Sequence, residues 1–207
     1  MASIKSKQQL EFYLEADRMM NRGAFKYSFK QKLMYYLLPD YIMQYLEALR
    51  KYSYYANGGG NSLLRAYYKI KTYRLGMKLG YDIGPDVLGY GCVIGHPGTI
   101  VIGSSNRIGN YSVLHTSTCI SNNAKVIGNG LYLSAGVIIT SPIKLGDNVS
   151  IGANSLVNHS FEDGNLMIAG SPAVKKKVAK AWYMTNGEEY IDRYYKIEQL
   201  KQYYNSF

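Results

Sequence analysis

Few side chains in this sequence could take or give a proton near neutral pH. The three histidines, His96, His115 and His159, stand far apart along the chain, and Cys92 and Cys119 are isolated from them and from each other. A zinc site needs three or four converging ligands, two of them usually close in sequence, so this pattern argues against a metal. Two cysteines also fall short of a disulfide framework and read as small core residues. An imidazole can act alone as a general base. Residue type by itself leaves His96 open between that role and a hydrogen-bonded corner. The run Lys175, Lys176 and Lys177 offers point charges suited to phosphate, or a solvated basic surface.

The elements that must carry these residues differ sharply between the two parts of the chain. Before residue 80, apolar positions recur every three or four residues, the period of an amphipathic helix. Helices are expected over 7–21, 28–37, 40–55 and 62–78, broken at Gly23, Pro39 and Gly58-Gly59-Gly60. Near the other end, Thr185 and Glu188 have capping-box spacing ahead of an apolar face formed by Tyr190, Ile191, Tyr194, Ile197 and Leu200. A last helix is expected from about residue 186.

From Ile83 onward single aliphatic residues recur at a fixed step. Ile102, Ile108, Leu114 and Ile120 are followed, after one extra residue, by Ile127, Leu133, Ile139, Leu145, Ile151 and Val157. A six-residue internal repeat means a β-solenoid. The first residue of each hexad points into a narrow prism, a small residue fills beside it, and glycine or asparagine tolerates positive φ at the corner. Three hexads make one coil, and coils stack at strand separation, roughly 4.8 Å. This cadence puts His115, next to Leu114, one coil along from His96. His159 falls in the loop after the last regular hexad, away from that wall.

Composition narrows the function classes. With 207 residues, 47% of them hydrophobic, and a mean hydropathy of −0.20, the chain reads as one globular unit. No apolar stretch approaches the roughly 18 residues of a span, and the start lacks a secretory h-region, so a cytoplasmic location is expected. The +10 charge favours an anionic partner. The 22 tyrosines follow helical spacing and no base-reading motif is present, so nucleic acid is not expected.

Four segments carry a resemblance: Gly80-Tyr81-Asp82-Ile83, the run Gly95-His96-Pro97-Gly98-Thr99-Ile100-Val101-Ile102-Gly103, Ile151-Gly152-Ala153, and Ala169-Gly170-Ser171-Pro172-Ala173. Together they resemble the serine acetyltransferase family of hexapeptide transferases, and especially its shorter relatives in surface-polysaccharide O-acetylation. The resemblance implies a mainly β fold, a left-handed parallel β-helix with an N-terminal helical region and a C-terminal helix. It implies a helical region over 1–80, an acyltransferase domain over 81–174, and a basic segment with a helix over 175–207. It also implies His96 as general base, oriented by Asp82, with acetyl-CoA as donor and no metal. Ala135, Gly136, Ala153 and Lys175 to Lys177 would line the cofactor groove, and His115 and Asp17 the acceptor site. The family's groove lies between neighbouring prisms, so a homotrimer is expected.

Several departures bear on the acceptor. Gly95 stands where serine acetyltransferases carry an amino-acid-binding aspartate, and residues 117–125 run straight into the next coil without the family's long Arg-His loop. The end Asn205-Ser206-Phe207 lacks the terminal isoleucine that docks cysteine synthase, so that partner is not expected. The segment from Asp82 to His96 is one residue shorter than in the serine enzymes. A sugar hydroxyl, free or lipid-linked, is the expected acceptor. A divergent serine O-acetyltransferase and a non-catalytic β-helix assembly protein are the competing readings.

Overall fold

A computed structural model describes residues 3–204. Four helices come first: α1 (Lys7–Arg22), α2 (Phe29–Leu37), α3 (Tyr41–Asn57) and α4 (Ser62–Leu79). Each begins on a side chain that accepts from the first turn, namely Ser6, Ser28, Asp40 and Asn61, which satisfies backbone donors that the helix itself cannot. Gly23 and Gly80 close α1 and α4 in the left-handed conformation.

The repeats then build a solenoid with three walls. The first stacks β1 (Tyr81–Ile83), β3 (Ile100–Ile102), β6 (Thr118–Ile120), β9 (Ile138–Ile139) and β12 (Leu156–Val157). The second stacks β4 (Arg107–Ile108), β7 (Val126–Ile127) and β10 (Lys144–Leu145), with single bridges extending it to Leu88 and Phe161. The third runs β2 (Val93–Ile94), β5 (Val113–Leu114), β8 (Tyr132–Leu133), β11 (Val149–Ile151), β13 (Leu166–Gly170) and β14 (Ala173–Val178). All pairings are parallel except β13 with β14, which turn back through a cis Ser171–Pro172 peptide.

The six-residue cadence is therefore realised as three inward columns. Ile83, Ile102, Ile120, Ile139 and Val157 stack in one wall, and Ile94, Leu114, Leu133, Ile151 and Ile168 in another, each at 5% exposure or less. The pattern is that of a hexapeptide-repeat β-helix and is consistent with left-handed winding. Two corners break the step in ways that matter below. Ile94 to Ile102 spans eight positions where Leu114 to Ile120, Leu133 to Ile139 and Ile151 to Val157 span six, and Ile83 to Leu88 spans only five. The latter accounts for the short interval between Asp82 and His96.

Helix α3 closes the open end of the prism. Its Ile42, Met43, Tyr45, Leu46 and Leu49 join the same apolar cluster as Tyr81, Ile83, Val87 and Leu88. On the third wall, α1 and the last helix, α5 (Glu188–Tyr203), cover Tyr90, Val93, Tyr111 and Val113. Most of this second core is aromatic: Tyr183 and Tyr194 stack at 4.5 Å, and Glu198 accepts from the hydroxyls of Tyr90 and Tyr111. The tyrosines there are packing residues, as their spacing suggests. The expected capping box is absent. Gly187 starts α5 with no side-chain cap, and the Thr185 hydroxyl donates back to the Trp182 carbonyl at 3.1 Å, because a short 3₁₀ turn (Trp182–Met184) delivers the chain there.

Candidate active site

The lengthened corner is the one that carries His96. Two extra residues bow residues 95–99 outward, and the His96 side chain is exposed. Both ends of the bow are pinned. On the entering side, Asn21 of α1 donates to the Cys92 carbonyl at 2.7 Å and accepts from the Ile94 amide at 3.4 Å. On the leaving side, the Gly98 amide donates to the Leu79 carbonyl at 2.9 Å. Gly98 has a φ of 144°, and a Cβ there would lie 2.8 Å from Thr116 Cγ2, so no larger residue fits the turn. The Tyr81 hydroxyl donates to the His96 carbonyl at 2.8 Å, fixing the backbone and leaving the ring free to face a ligand.

His115 stands one coil below. The pairing of Ile94 with Leu114 brings the two imidazoles onto one wall, close enough for the charge of His96 to bear on His115. Burial first, and then His96, holds the His115 pKa below its ordinary 6.5. Its Nε2 lies 3.0 Å from the Tyr132 hydroxyl.

The same register continues down the corner. Counting two residues past Ile94, Leu114, Leu133 and Ile151 gives His96, Thr116, Ala135 and Ala153, so Ala135 and Ala153 share an edge with His96. Both are exposed. Gly136, beside them, has its own structural explanation: its φ is 74°, and a Cβ would come within 2.1 Å of Asn154 Oδ1. Its smallness answers the corner geometry before any ligand is considered.

The three lysines of β14 all reach solvent, but they do not act as one group. Lys177 lines a cleft of about 460 Å³ on the outer face of the third wall, together with Lys180, Trp182, Tyr132, Ser134 and Gly152, whereas Lys175 and Lys176 do not line it. Tyr132 joins the two halves of the region: its ring walls the cleft while its hydroxyl meets His115. Sequence reading missed Tyr132, Lys180 and Trp182. Tyr132 was findable, because the residue preceding each inward aliphatic must face out, and along that column Val93, Val113, Tyr132 and Ser150 contain one aromatic.

Two expected residues take other positions. Asp82 lies on the exposed side of β1, paired in register with Val101, and makes no hydrogen bond to His96 among the described residues. Asp17 is a correction. It is 1% exposed and bound to Arg50 at 2.8 Å, and it also accepts from the Cys92 amide at 3.2 Å. With both oxygens engaged inside the protein, Asp17 has no surface to offer an acceptor. It does act on the site from behind, since the strand it holds leads directly to His96.

His159 is exposed, 3.0 Å from Asn158 Oδ1 and packed beside Phe161, apart from the other two histidines. Among the described residues no cluster of three His, Cys, Asp or Glu side chains could hold a metal ion. No described helix is long and apolar enough to cross a membrane. The terminal residues used in the cysteine synthase expectation, Asn205-Ser206-Phe207, lie outside the described residues.

No family model matches the chain. Among curated proteins it is similar to the bifunctional protein GlmU of Bifidobacterium longum subsp. infantis, 30% identical over 74 residues, covering 36% of this chain and 16% of that protein. It is also similar to a serine acetyltransferase of Synechococcus elongatus, 31% identical over 86 residues, covering 38% of this chain and 35% of that protein. The chain thus spans well under half the length of either relative. Among solved structures, a serine acetyltransferase from Neisseria gonorrhoeae superposes with a TM-score of 0.62 at 22% identity, covering 84% of this chain and 70% of that one. A serine acetyltransferase in complex with CoA gives 0.58 at 20% identity, covering 81% and 68%. The chain has, in conclusion, the hexapeptide-repeat β-helix fold of the serine acetyltransferases, with the helical region included in the match.

Proposed function

We propose that this protein is an acetyl-CoA-dependent O-acetyltransferase with His96 as general base and a sugar hydroxyl as acceptor. One observation carries the reading: the corner lengthened by two residues presents an exposed, backbone-anchored imidazole above an edge of small residues, with a cation-lined cleft on the adjoining wall. An alcohol attacks a thioester poorly because its proton must leave. His96 takes that proton as the oxygen bonds to the acetyl carbon, the carbon–sulfur bond breaks, and the imidazolium returns the proton to the departing CoA sulfur. No covalent enzyme intermediate is needed.

Ala135, Gly136 and Ala153 would let the pantetheine arm approach the edge, and Lys177 with Lys180 would meet its phosphates. Lys175 and Lys176 would add charge nearby. Asp82, exposed on β1, would orient His96, and because the family's groove lies between neighbouring prisms the enzyme would be a homotrimer. Gly95, directly before the base, leaves a serine ammonium without a counter-ion, which favours a sugar hydroxyl over serine. Free and lipid-linked glycans both fit, in a cytoplasmic enzyme.

The test is thiol release from acetyl-CoA over a panel of glycans and free L-serine. Acceleration by a sugar, and loss of roughly a hundred- to ten-thousand-fold in His96→Ala, is the expected result. Acceleration by serine alone would make it a serine acetyltransferase, and an absence of CoA binding would leave an assembly protein.

A further inference from the structure

Helix α4 presents an apolar stripe to solvent. Its inner face is used: Thr72, Gly76 and Leu79 are buried, and Gly76 packs so tightly that a Cβ would lie 2.4 Å from the Tyr81 carbonyl oxygen. The opposite face carries Leu63 at 81% exposure, Tyr67 at 53%, Ile70 at 51%, Tyr73 at 67% and Met77 at 70%. Leu63, Tyr67, Ile70 and Met77 follow helical spacing and run most of the length of the helix, which extends about 27 Å. Lone exposed hydrophobics are ordinary on a protein surface, but five along one helix face mark a docking face.

The charge around this row says what fits it. Helix α4 contains Arg65, Lys69, Lys71, Arg74 and Lys78 and no acidic residue. Lys78 sits over the Tyr41 ring at 3.3 Å. Among the described residues, none of Arg65, Lys69, Lys71 or Arg74 is paired with a carboxylate. On the helix, Arg74 stands within the stripe between Ile70 and Met77, Lys71 borders it on one side, and Lys69 lies beyond Tyr73 on the other. Two copies of α4 face to face would bring these unpaired cations together with nothing between them to neutralise them. A surface combining anionic headgroups with an apolar layer satisfies both features at once, with tyrosines at the boundary and the lysine and arginine stems reaching up to the headgroups.

We propose that the outer face of α4 docks on an anionic phospholipid bilayer, lying in its interface without crossing it. The inference goes beyond the acetyltransferase reading and does not depend on it, since it uses only the surface of α4. It would put the catalytic corner of a peripheral enzyme near membrane-borne acceptors.

The experiment is co-sedimentation of the full chain with phosphatidylcholine vesicles, with and without phosphatidylglycerol, over a range of salt. Binding to the anionic vesicles at least tenfold above the neutral ones, weakening as salt rises, is expected. Ile70→Glu/Met77→Glu and, separately, Lys69→Ser/Arg74→Ser should each lower it at least tenfold, with thermal melts unchanged because all four side chains are exposed. Equal binding to neutral vesicles, absence of vesicle binding, or undiminished binding by both variants overturns the proposal. If vesicles fail to bind and Ile70→Glu/Met77→Glu lowers the sedimenting mass of the free protein, the face belongs to a second copy instead.

Discussion

Removing the Asp17 carboxylate should unfold this protein far more readily while telling us whether the residue meets a substrate. Arg50 has no exposed surface, and its guanidinium bonds Asp17 through two nitrogens, at 2.8 and 3.3 Å, as well as the carbonyls of Leu88 and Gly89. Burial pushes the guanidinium pKa down, and the charge and hydrogen bonds of Asp17 more than offset this, so the net shift is upward. In Asp17→Ala the cation stays buried without its counter-ion, which costs about 3–5 kcal/mol. The two retained carbonyls argue for the lower part of that range, and the Cys92 amide loses its acceptor and adds about 1 kcal/mol. For a chain of this size the melting temperature should fall by roughly 6–20 °C. Arg50→Met should cost less, and the double variant should cost much less than the sum of the two, because the charge and its partner leave together. Calorimetric melts of the four proteins measure this directly. Strict additivity would refute the buried-pair account. So would an Asp17→Ala protein of normal stability with a raised KM for acceptor, which would put Asp17 at the substrate after all.

Three further outcomes follow from the interior. Lys125 is 0% exposed, and its ammonium is held by the Ser121 carbonyl at 2.7 Å and hydroxyl at 2.9 Å, with burial lowering its pKa; Lys125→Met should raise stability by roughly 1 kcal/mol in a thermal melt. Burial, with Asp17 adding to it, pushes the Cys92 thiol up to about 12, so titration of the native protein with a disulfide reagent should leave Cys92 unmodified while the denatured protein yields both thiols. His115 binds its proton less well in the folded protein than in the unfolded chain. Between its lowered pKa and 6.5 the unfolded state therefore carries more protons, and stability falls as pH drops through that window; denaturant titrations should show a shallower fall for His115→Gln.

The helices and the solenoid were legible because each is written in a local period. Helical boundaries read from apolar spacing and from the breaks at Gly23, Pro39 and Gly58-Gly59-Gly60 match α1 to α4 to within two residues, since period and break are both local in sequence. The cap of α5 failed for the complementary reason. Thr185 had a better acceptor, the Trp182 carbonyl, supplied by a turn that tertiary packing of Trp182 creates, with its indole donating to the Tyr111 carbonyl at 2.7 Å.

The site divides along the same line. Sequence alone determined that aliphatic columns would stack, and therefore that His96 and His115 would share a wall one coil apart, because a repeating rung converts a difference in sequence number into a position in space. Only the tertiary structure decided that Asp17 turns inward to Arg50, that Lys177 and not Lys175 or Lys176 lines the cleft, and that Tyr132 links the cleft to His115. These depend on how a helix, a reversing strand and a corner of unequal length meet across the solenoid. Contacts between segments that share no repeat have no period to announce them, and burial of charge and aromatic surface chooses among them.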